Sequence, residues 1–212
     1  MRSAPSDTLT RTGVVAVLRA ADARLYEPVV TALAESGVLC IELTMTTPGT
    51  LEMLPQLIAA VPEAEIGVGT VLTAHDARAA LEAGACFLVS PTVSPEVIEV
   101  ADSFGAAVYP GALTPTEVHA AWERGATAVK VFPAASVGSD YVRQLAGPLP
   151  HLLTLPSGGV TLEEIPEWIR AGCVAVSLGG PLIGDAFAGG SLDALKERAR
   201  RALAGVIEGR AA

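Results

Sequence analysis

The stretch TAVKVFPAA, residues 127–135, sets a lysine in the middle of an apolar run that has the character of a β-strand. Side chains alternate between the two faces of a strand, so Val129 and Val131 point one way and Lys130 points the other. Lysine is rarely buried without a partner. A buried strand with one inward-facing ammonium group therefore predicts either an ion pair or a chemical function for Lys130.

Runs of this kind recur along the chain and alternate with stretches rich in Ala, Leu and Glu that have the apolar spacing of helices. Glycine follows many of these helical stretches, as in ESGV, EAGA and RAGC, where it supplies a left-handed C-cap. The pattern predicts strands near 14–19, 39–44, 65–70, 86–90, 106–109, 128–132, 152–156 and 174–178. It predicts helices near 22–36, 49–60, 73–83, 94–104, 114–124, 139–146, 161–171 and 191–208.

Eight strand–helix units of roughly 25 residues have the size of the units in a (β/α)8 TIM barrel. The sequence therefore predicts an α/β fold in which a single barrel domain spans residues 1–212, with parallel strands inside and helices outside. An open doubly wound sheet is the weaker alternative, because it usually carries a glycine-rich turn after its first strand. Here the first strand runs as VVAVLRAAD and has no such turn.

Composition and charge argue against several kinds of partner. The net charge is -9, and Lys and Arg are scattered, which argues against nucleic acid and anionic membranes. No apolar stretch is long enough to cross a bilayer, and the opening MRSAPSDTLT lacks the apolar segment of a signal peptide. Cys40, Cys86 and Cys173 lie far apart in apolar contexts. They predict buried free thiols in a reducing, cytoplasmic compartment, with neither a disulfide frame nor a metal site.

Polar residues collect at the ends of the predicted strands, where barrel enzymes hold their active sites. The first strand ends in Arg19, the second carries Glu42, the third reaches Thr70 and the fourth reaches Pro91. Glu42 and Lys130 are predicted to face the interior, where each offsets the desolvation of the other. A purely structural ion pair is one interpretation. The polar neighbours favour a pocket, in which desolvation frees the amine to attack a ketone while the carboxylate moves protons.

Two Gly-Gly pairs follow the last two predicted strands, in PSGGV at 156–160 and in SLGGP at 177–181. Barrel enzymes frequently bind phosphate with the loops after strands seven and eight. Glycine lets backbone N–H groups approach an anion closely, and a following helix N-terminus adds a favourable dipole. Two ordinary glycine turns are the alternative, but the position of both pairs favours a phosphate site.

Three segments carry a specific resemblance to a known family. GATAVKVFPAASVG (125–138), GVLCIELTMTTP (37–48) and GVGTVLT (67–73) are similar to segments of the KDPG/KHG aldolases, which act on 2-keto-3-deoxy-6-phosphogluconate (KDPG) or 4-hydroxy-2-oxoglutarate (KHG). The resemblance extends over nearly the whole chain. It implies a class I aldolase with Lys130 as the imine-forming residue and Glu42 as the general acid and base.

The same resemblance implies the remaining site residues and properties. Thr70 and Pro91 would line the pyruvate site. The phosphate cradle would consist of Ser157, Gly158, Gly159, Gly179 and Gly180. The family further implies an enzyme without metal or cofactor, a homotrimer, and a place in the Entner–Doudoroff pathway.

Two positions depart from the family pattern. Many members have Arg in the pattern E-[LIV]-T-x-R where this chain has Thr46, which is still expected to contact the substrate. Arg19 is predicted to replace that cation and to hold the substrate carboxylate. Pro181 stands where Ser often follows the Gly-Gly pair, and proline has no backbone N–H to donate.

The sequence thus predicts reversible cleavage of KDPG to pyruvate and glyceraldehyde 3-phosphate. The same chemistry on 2-keto-3-deoxy-6-phosphogalactonate (KDPGal) or on KHG is the nearest alternative. A phosphosugar epimerase or isomerase that uses Glu42 and Lys130 without an imine is a more distant one, as is an inactive barrel that only binds a ligand.

Overall fold

The computed structural model describes residues 2–211, so the single domain predicted over 1–212 extends one residue beyond the described part at each end. Strands and helices alternate along the chain as predicted. The strands are β1 (Val14–Leu18), β2 (Cys40–Thr44), β3 (Glu65–Gly69), β4 (Phe87–Val89), β5 (Ala107–Tyr109), β6 (Gly111–Ala112), β7 (Val129–Val131), β8 (Thr154–Pro156) and β9 (Val176–Leu178). The helices are α1 (Asp7–Thr12), α2 (Tyr26–Glu35), α3 (Thr50–Ala60), α4 (Ala74–Glu82), α5 (Pro95–Phe104), α6 (Pro115–Glu123), α7 (Ser139–Ala146), α8 (Ile165–Arg170), α9 (Gly180–Ile183) and α10 (Leu192–Arg210).

The strand pairings among residues 2–211 are all parallel and form two sheets. The larger sheet is curled and has six strands in the order β5-β4-β3-β2-β1-β9, and the smaller has the order β6-β7-β8. Parallel strands need crossover connections, and helices supply most of them here. The prediction of an α/β fold with a parallel sheet is confirmed.

The fifth predicted strand is interrupted by Pro110. β5 pairs with β4 on one side of this proline, and β6 pairs with β7 on the other. Proline lacks the N–H that a continuous ladder needs, but its carbonyl accepts a hydrogen bond of 2.9 Å from the backbone N–H of Lys130. At the far edge of the smaller sheet, a single bridge joins Ser157, after β8, to Ser177 in β9. The strand that carries Lys130 is therefore fixed at the centre of the smaller sheet.

Two apolar layers hold the strands in place. The outer layer fills the space between strands and helices and includes Leu18, Leu43, Val68 and Val176. Side chains of opposite orientation form the inner layer. It contains Leu9, Val15, Cys40, Phe87, Val89, Tyr109, Ala128, Leu155 and Ala175.

Local capping signals position the helices that follow the strands. Thr114 caps α6 by accepting a hydrogen bond from the N–H of Glu117, and the Glu117 carboxylate accepts one of 2.9 Å from the N–H of Thr114. This reciprocal capping box satisfies two donors that the helix itself cannot pair. At α5, Ser94 plays the same capping role and Gly105 ends the helix in the left-handed region, with φ 67°.

Helix α1 lies outside the predicted elements, because DTLTRT is six residues long and mostly polar. Ser6 caps it by accepting a hydrogen bond of 3.0 Å from the N–H of Leu9. The Leu9 side chain is 2% exposed and packs in the inner layer with Val15 and Cys40, which lie at the beginnings of β1 and β2. Helix α1 thus covers the end of the sheet where the strands begin.

Other predictions need correction in detail. Cys40 and Cys173 are buried free thiols, as predicted, but Cys86, directly before β4, is exposed. The helix predicted over 161–171 begins only at Ile165. No helix within residues 2–211 combines the length and apolar character that crossing a membrane requires.

Candidate active site

A cavity of about 570 Å³ lies where the strands end, on the side of the sheet opposite α1. The predicted site residues line this cavity with the exception of Thr46. The lining includes Arg19, Glu42, Thr70, Pro91, Lys130, Ser157, Gly158, Gly159, Gly179 and Gly180. Residues that are distant in sequence meet here because the carboxyl ends of parallel strands share one edge.

Lys130 and Glu42 form a buried pair in this cavity. The Lys130 Nζ and the Glu42 Oε2 lie 4.0 Å apart, and the two side chains are 8% and 2% exposed. Alternation along β7 and β2 turns both side chains away from the outer apolar layer, as predicted. The Nζ also lies 5.3 Å from the centre of the Phe132 ring, within the range of a cation–π contact.

The Glu42 carboxylate is under-satisfied for a buried charge. No protein group within residues 2–211 donates a hydrogen bond to its Oε2, although that atom is buried. Buried polar atoms are normally paired, and an exception calls for a reason. The atom lies in the cavity wall 4.0 Å from the lysine amine, so a group bound at the amine is also within its reach.

Burial raises the pKa of the Glu42 carboxyl above its usual range. The positive charge of Lys130 opposes that rise, and the charge of Arg19 opposes it more weakly. Burial outweighs both because it removes water from the charged form, while the cations act across a distance. A carboxyl whose pKa lies nearer to neutral pH exchanges protons more effectively than an exposed one.

Gly69 in β3 makes room for the Glu42 side chain. A Cβ on Gly69 would overlap the Glu42 Oε1 and would lie 2.6 Å from its Cγ. Gly69 has no unusual φ, so the requirement for glycine at this position comes from the space that Glu42 occupies. The predicted site did not include Gly69, although the motif GVGT contains it.

Arg19, predicted to hold the substrate carboxylate, and Thr46, predicted to contact the substrate, are placed differently. Arg19 follows β1, is exposed, and lines the cavity, and it has no ion pair or side-chain hydrogen bond within residues 2–211. Thr46 is also exposed but does not line the cavity, and its hydroxyl donates to the Thr44 hydroxyl at 3.2 Å. Of these two residues, the one that lines the cavity is therefore Arg19, in the loop after β1.

Thr70 has an unusual backbone conformation at the cavity wall. Its φ is 61°, in the left-handed region, and it is the one non-glycine residue with a positive φ among residues 2–211. A β-branched residue is rarely found there, because its Cβ approaches the following carbonyl. Such strain is often found at functional sites.

The two glycine turns lie beside each other at the cavity. Gly158 and Gly159 both have φ 85°, and a Cβ on Gly158 would lie 2.9 Å from the Phe132 ring. Gly179 and Gly180 begin α9. The helix after β8 begins only at 165, so the turn at 158–159 faces the cavity without a helix N-terminus behind it.

Below these turns, two buried hydroxyls meet, those of Ser157 and Ser177, at 3.2 Å. Ser177 was not among the predicted site residues, although it lies between Val176 and Leu178 as Lys130 lies between two valines. The same alternation would have identified it. Phe132 and Phe187 also line the cavity; Phe132 lies in the quoted segment GATAVKVFPAASVG, whereas Phe187 lies in none of the quoted segments. No group of three or more His, Cys, Asp or Glu residues in the described part of the chain is arranged to hold a metal ion.

Comparison with known proteins adds independent information. A family model described as KDPG and KHG aldolase matches residues 6–195. The 2-dehydro-3-deoxy-6-phosphogalactonate aldolase of Escherichia coli (strain K12) is 34% identical over 175 residues, which are 82% of this chain and 85% of that protein. The 2-dehydro-3-deoxy-phosphogluconate aldolase of Pseudoalteromonas atlantica is 31% identical over 201 residues, which are 94% of each. A solved structure described as native KDPGal has a TM-score of 0.87 and 31% identity, over 94% of this chain and 96% of the other.

Proposed function

The chain belongs to the KDPG and KHG aldolase family, and from this premise we propose that it is a class I aldolase that reversibly cleaves KDPG to pyruvate and glyceraldehyde 3-phosphate. The observation that carries the proposal is the buried pair of Lys130 and Glu42, whose Nζ and Oε2 atoms lie 4.0 Å apart in a cavity of about 570 Å³. An amine and a carboxyl group are the two groups that imine chemistry on a ketone needs.

In the proposed mechanism, the neutral amine of Lys130 attacks C2 of the keto acid, and Glu42 donates the proton with which the C2 oxygen leaves as water. The iminium ion then accepts the electrons of the C3–C4 bond as that bond breaks, while Glu42 takes the proton of the C4 hydroxyl. The aldehyde departs and leaves an enamine on Lys130. Protonation of the enamine at C3 and hydrolysis of the resulting iminium release pyruvate and restore the amine.

Arg19 is proposed to bind the carboxylate of the substrate. Its guanidinium forms no ion pair or side-chain hydrogen bond within residues 2–211 and offers two parallel N–H donors to a carboxylate. Thr70 and Pro91 are proposed to line the pyruvate site with it. Thr46 stays a proposed substrate contact; its hydroxyl donates to Thr44, and it is not among the residues that line the cavity.

The glycine turns are proposed to bind the phosphate of the substrate. Backbone N–H groups that converge in such turns form concave sites for anions. Ser157 would add a hydroxyl donor. The proposed phosphate contacts are Ser157, Gly158, Gly159, Gly179 and Gly180.

KDPGal is the second candidate substrate. It differs from KDPG in the configuration at C4, and the relatives include one aldolase named for each of the two compounds. The ratio of kcat/KM for the two epimers, measured with pyruvate detection on the purified protein, decides between them.

We also propose that the two sheets close into one (β/α)8 barrel and that residues 1–212 form a single domain. β5 and β6 follow each other along one path that Pro110 interrupts, and the bridge between Ser157 and Ser177 joins the two remaining edges. A homotrimer and a cytoplasmic role in the Entner–Doudoroff pathway are proposed from family membership. Sedimentation equilibrium tests the trimer, which a monomer mass at micromolar concentration would contradict.

Reductive trapping tests the proposed chemistry. Borohydride added with pyruvate should fix the imine and add irreversible mass to Lys130, located by peptide mass spectrometry. The chain offers a matched control, because Lys196 is its other lysine and is held in an ion pair with Glu35 at 2.6 Å. Lys196→Arg should be trapped like the wild type, and Lys130→Ala should neither be trapped nor cleave KDPG. Wild-type protein that cannot be trapped would contradict the aldolase and favour an isomerase or a binding protein.

A further inference from the structure

We propose that Thr47 is a positioning residue for Arg19: its hydroxyl fixes the backbone beside Arg19, so that the guanidinium is held where it meets the substrate carboxylate. The proposal rests on the proposed function, in which Arg19 binds the substrate carboxylate. It adds that the Thr47 hydroxyl determines the direction in which the Arg19 side chain leaves the backbone.

Arg19 needs such support because its own side chain has no fixed partner. It forms no ion pair or side-chain hydrogen bond within residues 2–211, whereas Arg24 in the same loop is held by Asp22 at 2.7 Å. A long side chain without a partner loses conformational freedom when it binds an anion, and that loss weakens binding. Before the substrate binds, the fold can fix only the backbone at Arg19, from which the side chain extends.

The Thr47 hydroxyl forms hydrogen bonds with both backbone polar groups of Ala20, the residue after Arg19. The N–H of Ala20 donates to the Thr47 Oγ1 at 3.1 Å, and the same hydroxyl donates to the carbonyl of Ala20 at 3.2 Å. A hydroxyl has one hydrogen to donate and lone pairs to accept with, so both bonds can form together. Thr47 is 1% exposed, so water does not compete for these bonds.

A chain of hydroxyl groups fixes the orientation of the Thr47 hydroxyl. Thr46 donates to Thr44 at 3.2 Å, and the Thr44 and Thr47 oxygens are 3.4 Å apart. Because the Thr47 hydrogen is directed at the Ala20 carbonyl, the Thr44 hydroxyl is the donor to Thr47. The donors thus run in one direction, from Thr46 through Thr44 and Thr47 to Ala20, and each bond in such a chain polarises the next.

A second contact fixes the far end of the same loop. The N–H of Ala23 donates to the carbonyl of Pro48 at 3.0 Å. The segment that supplies both contacts is itself held, because the Thr50 hydroxyl lies 2.9 Å from the Thr44 carbonyl and 2.8 Å from the Thr47 carbonyl. The loop after β2 therefore braces the loop after β1 on the C-terminal side of Arg19.

A double-mutant cycle separates positioning of Arg19 from general support of the fold. Kinetic constants for KDPG cleavage are measured for the wild type, Thr47→Val, Arg19→Ala and the double variant. Thr47→Val keeps the shape of the side chain and removes its hydroxyl, so it should raise KM by roughly twofold to tenfold, the effect of one or two hydrogen bonds, with a much smaller change in kcat. In the Arg19→Ala background the same substitution should leave KM unchanged, because the group that it positions is absent.

The chain contains a matched control for the loss of a buried threonine hydroxyl. Thr127 is also 1% exposed, and its Oγ1 accepts a hydrogen bond of 3.0 Å from the N–H of Val108, but it does not line the cavity. Thr127→Val should lower the melting temperature and leave KM at the wild-type value. Thr47→Ser keeps the hydroxyl and should also keep the wild-type KM.

Several outcomes would overturn the proposal. An equal rise in KM from Thr47→Val with and without Arg19 would show that Thr47 acts independently of it, and an unchanged KM would show that its hydroxyl does not matter for binding. If Thr47→Val and Thr47→Ala both fail to fold, the hydroxyl serves the fold and not the site. If Arg19→Ala leaves KM unchanged, Arg19 does not bind the substrate carboxylate, and this proposal is contradicted as well. Imine trapping at Lys130 still tests the aldolase chemistry separately.

Discussion

Gly69→Ala should disable the proposed catalytic carboxylate of Glu42 while leaving Glu42 itself unsubstituted, and it adds only one methyl group. The added Cβ would overlap the Glu42 Oε1 and would lie 2.6 Å from the Glu42 Cγ. Carbon atoms in ordinary contact are about 3.5–4.0 Å apart, so the Glu42 side chain must withdraw by about 1 Å. It would move within a layer where neighbouring side chains are buried and already in contact.

The size of the effect follows from that displacement. A misplacement of about 1 Å in a catalytic group costs on the order of 10²-fold in rate. Forcing an additional methyl group into a packed site costs roughly 1–3 kcal/mol of stability. Gly69→Ala is therefore expected to fold, to melt at a lower temperature, and to lose about two orders of magnitude in kcat for KDPG cleavage.

The assay is steady-state cleavage of KDPG with pyruvate detection, together with thermal unfolding. Gly147→Ala is the matched control, since its backbone is helical, with φ −57°, and its nearest new contact, the Gln144 carbonyl, is at 3.5 Å. In a Glu42→Ala background the overlapping atoms are absent, so Gly69→Ala should change the residual rate less than about twofold, and the difference between the two backgrounds measures the coupling of the two positions. Wild-type kcat in folded Gly69→Ala would refute the argument that the position of Glu42 determines the rate.

Four further substitutions each test one feature of the site. Glu42→Gln removes the base but keeps its shape and should lower kcat by roughly 10²–10⁴-fold; full activity would leave Glu42 only as a counter-ion of Lys130. Arg19→Ala removes a positive charge that holds the raised pKa of Glu42 down, so the acid limb of the kcat/KM profile should move to higher pH; a limb that stays in place or moves lower would contradict this. Pro181→Ser restores a backbone donor and a hydroxyl and should increase the preference for KDPG over its unphosphorylated analogue by roughly threefold to a hundredfold; an unchanged large preference would show that the proline is harmless. Thr70→Gly relieves a left-handed conformation that costs a residue with a Cβ about 1–2 kcal/mol and should lower kcat/KM without lowering the melting temperature; a large fall in that temperature would show that φ 61° is not strained.

The position of the proposed catalytic pair could be predicted from local pattern, because alternation along a strand is a strict geometric rule. Lys130 lies between two valines and Glu42 between Ile41 and Leu43, so both side chains had to face away from the helices. Their meeting across the cavity then followed from the expectation of a closed ring of parallel strands. The same rule, applied to Ser177, would have added it to the site.

Other features depend on contacts that no local pattern contains. Helix α1 is too short and polar to be recognised, and it is held by the burial of Leu9 against residues that are adjacent only in the folded chain. The requirement for glycine at Gly69 arises from a side chain on a neighbouring strand. Thr46 remains a predicted substrate contact from its place in a motif. The hydrogen bond from its hydroxyl to Thr44 could not be predicted, because it depends on the packing of the folded loop.

The proposed site is built from residues that the fold alone would not favour, and this separates it from an ordinary ion pair. In an ion pair selected for stability, the buried carboxylate oxygens would accept hydrogen bonds, since a buried acceptor without one costs about 1–3 kcal/mol. The Glu42 Oε2, although 4.0 Å from the Lys130 Nζ, accepts no hydrogen bond within residues 2–211. The pKa of Glu42 is raised because burial outweighs two cations, and the neighbouring strand has a glycine where a side chain would otherwise pack. Thr70 adds a strained backbone at the same cavity. A ligand bound beside Lys130 that also donates a hydrogen bond to the Glu42 Oε2 would offset these costs, and the proposed imine chemistry supplies such a ligand.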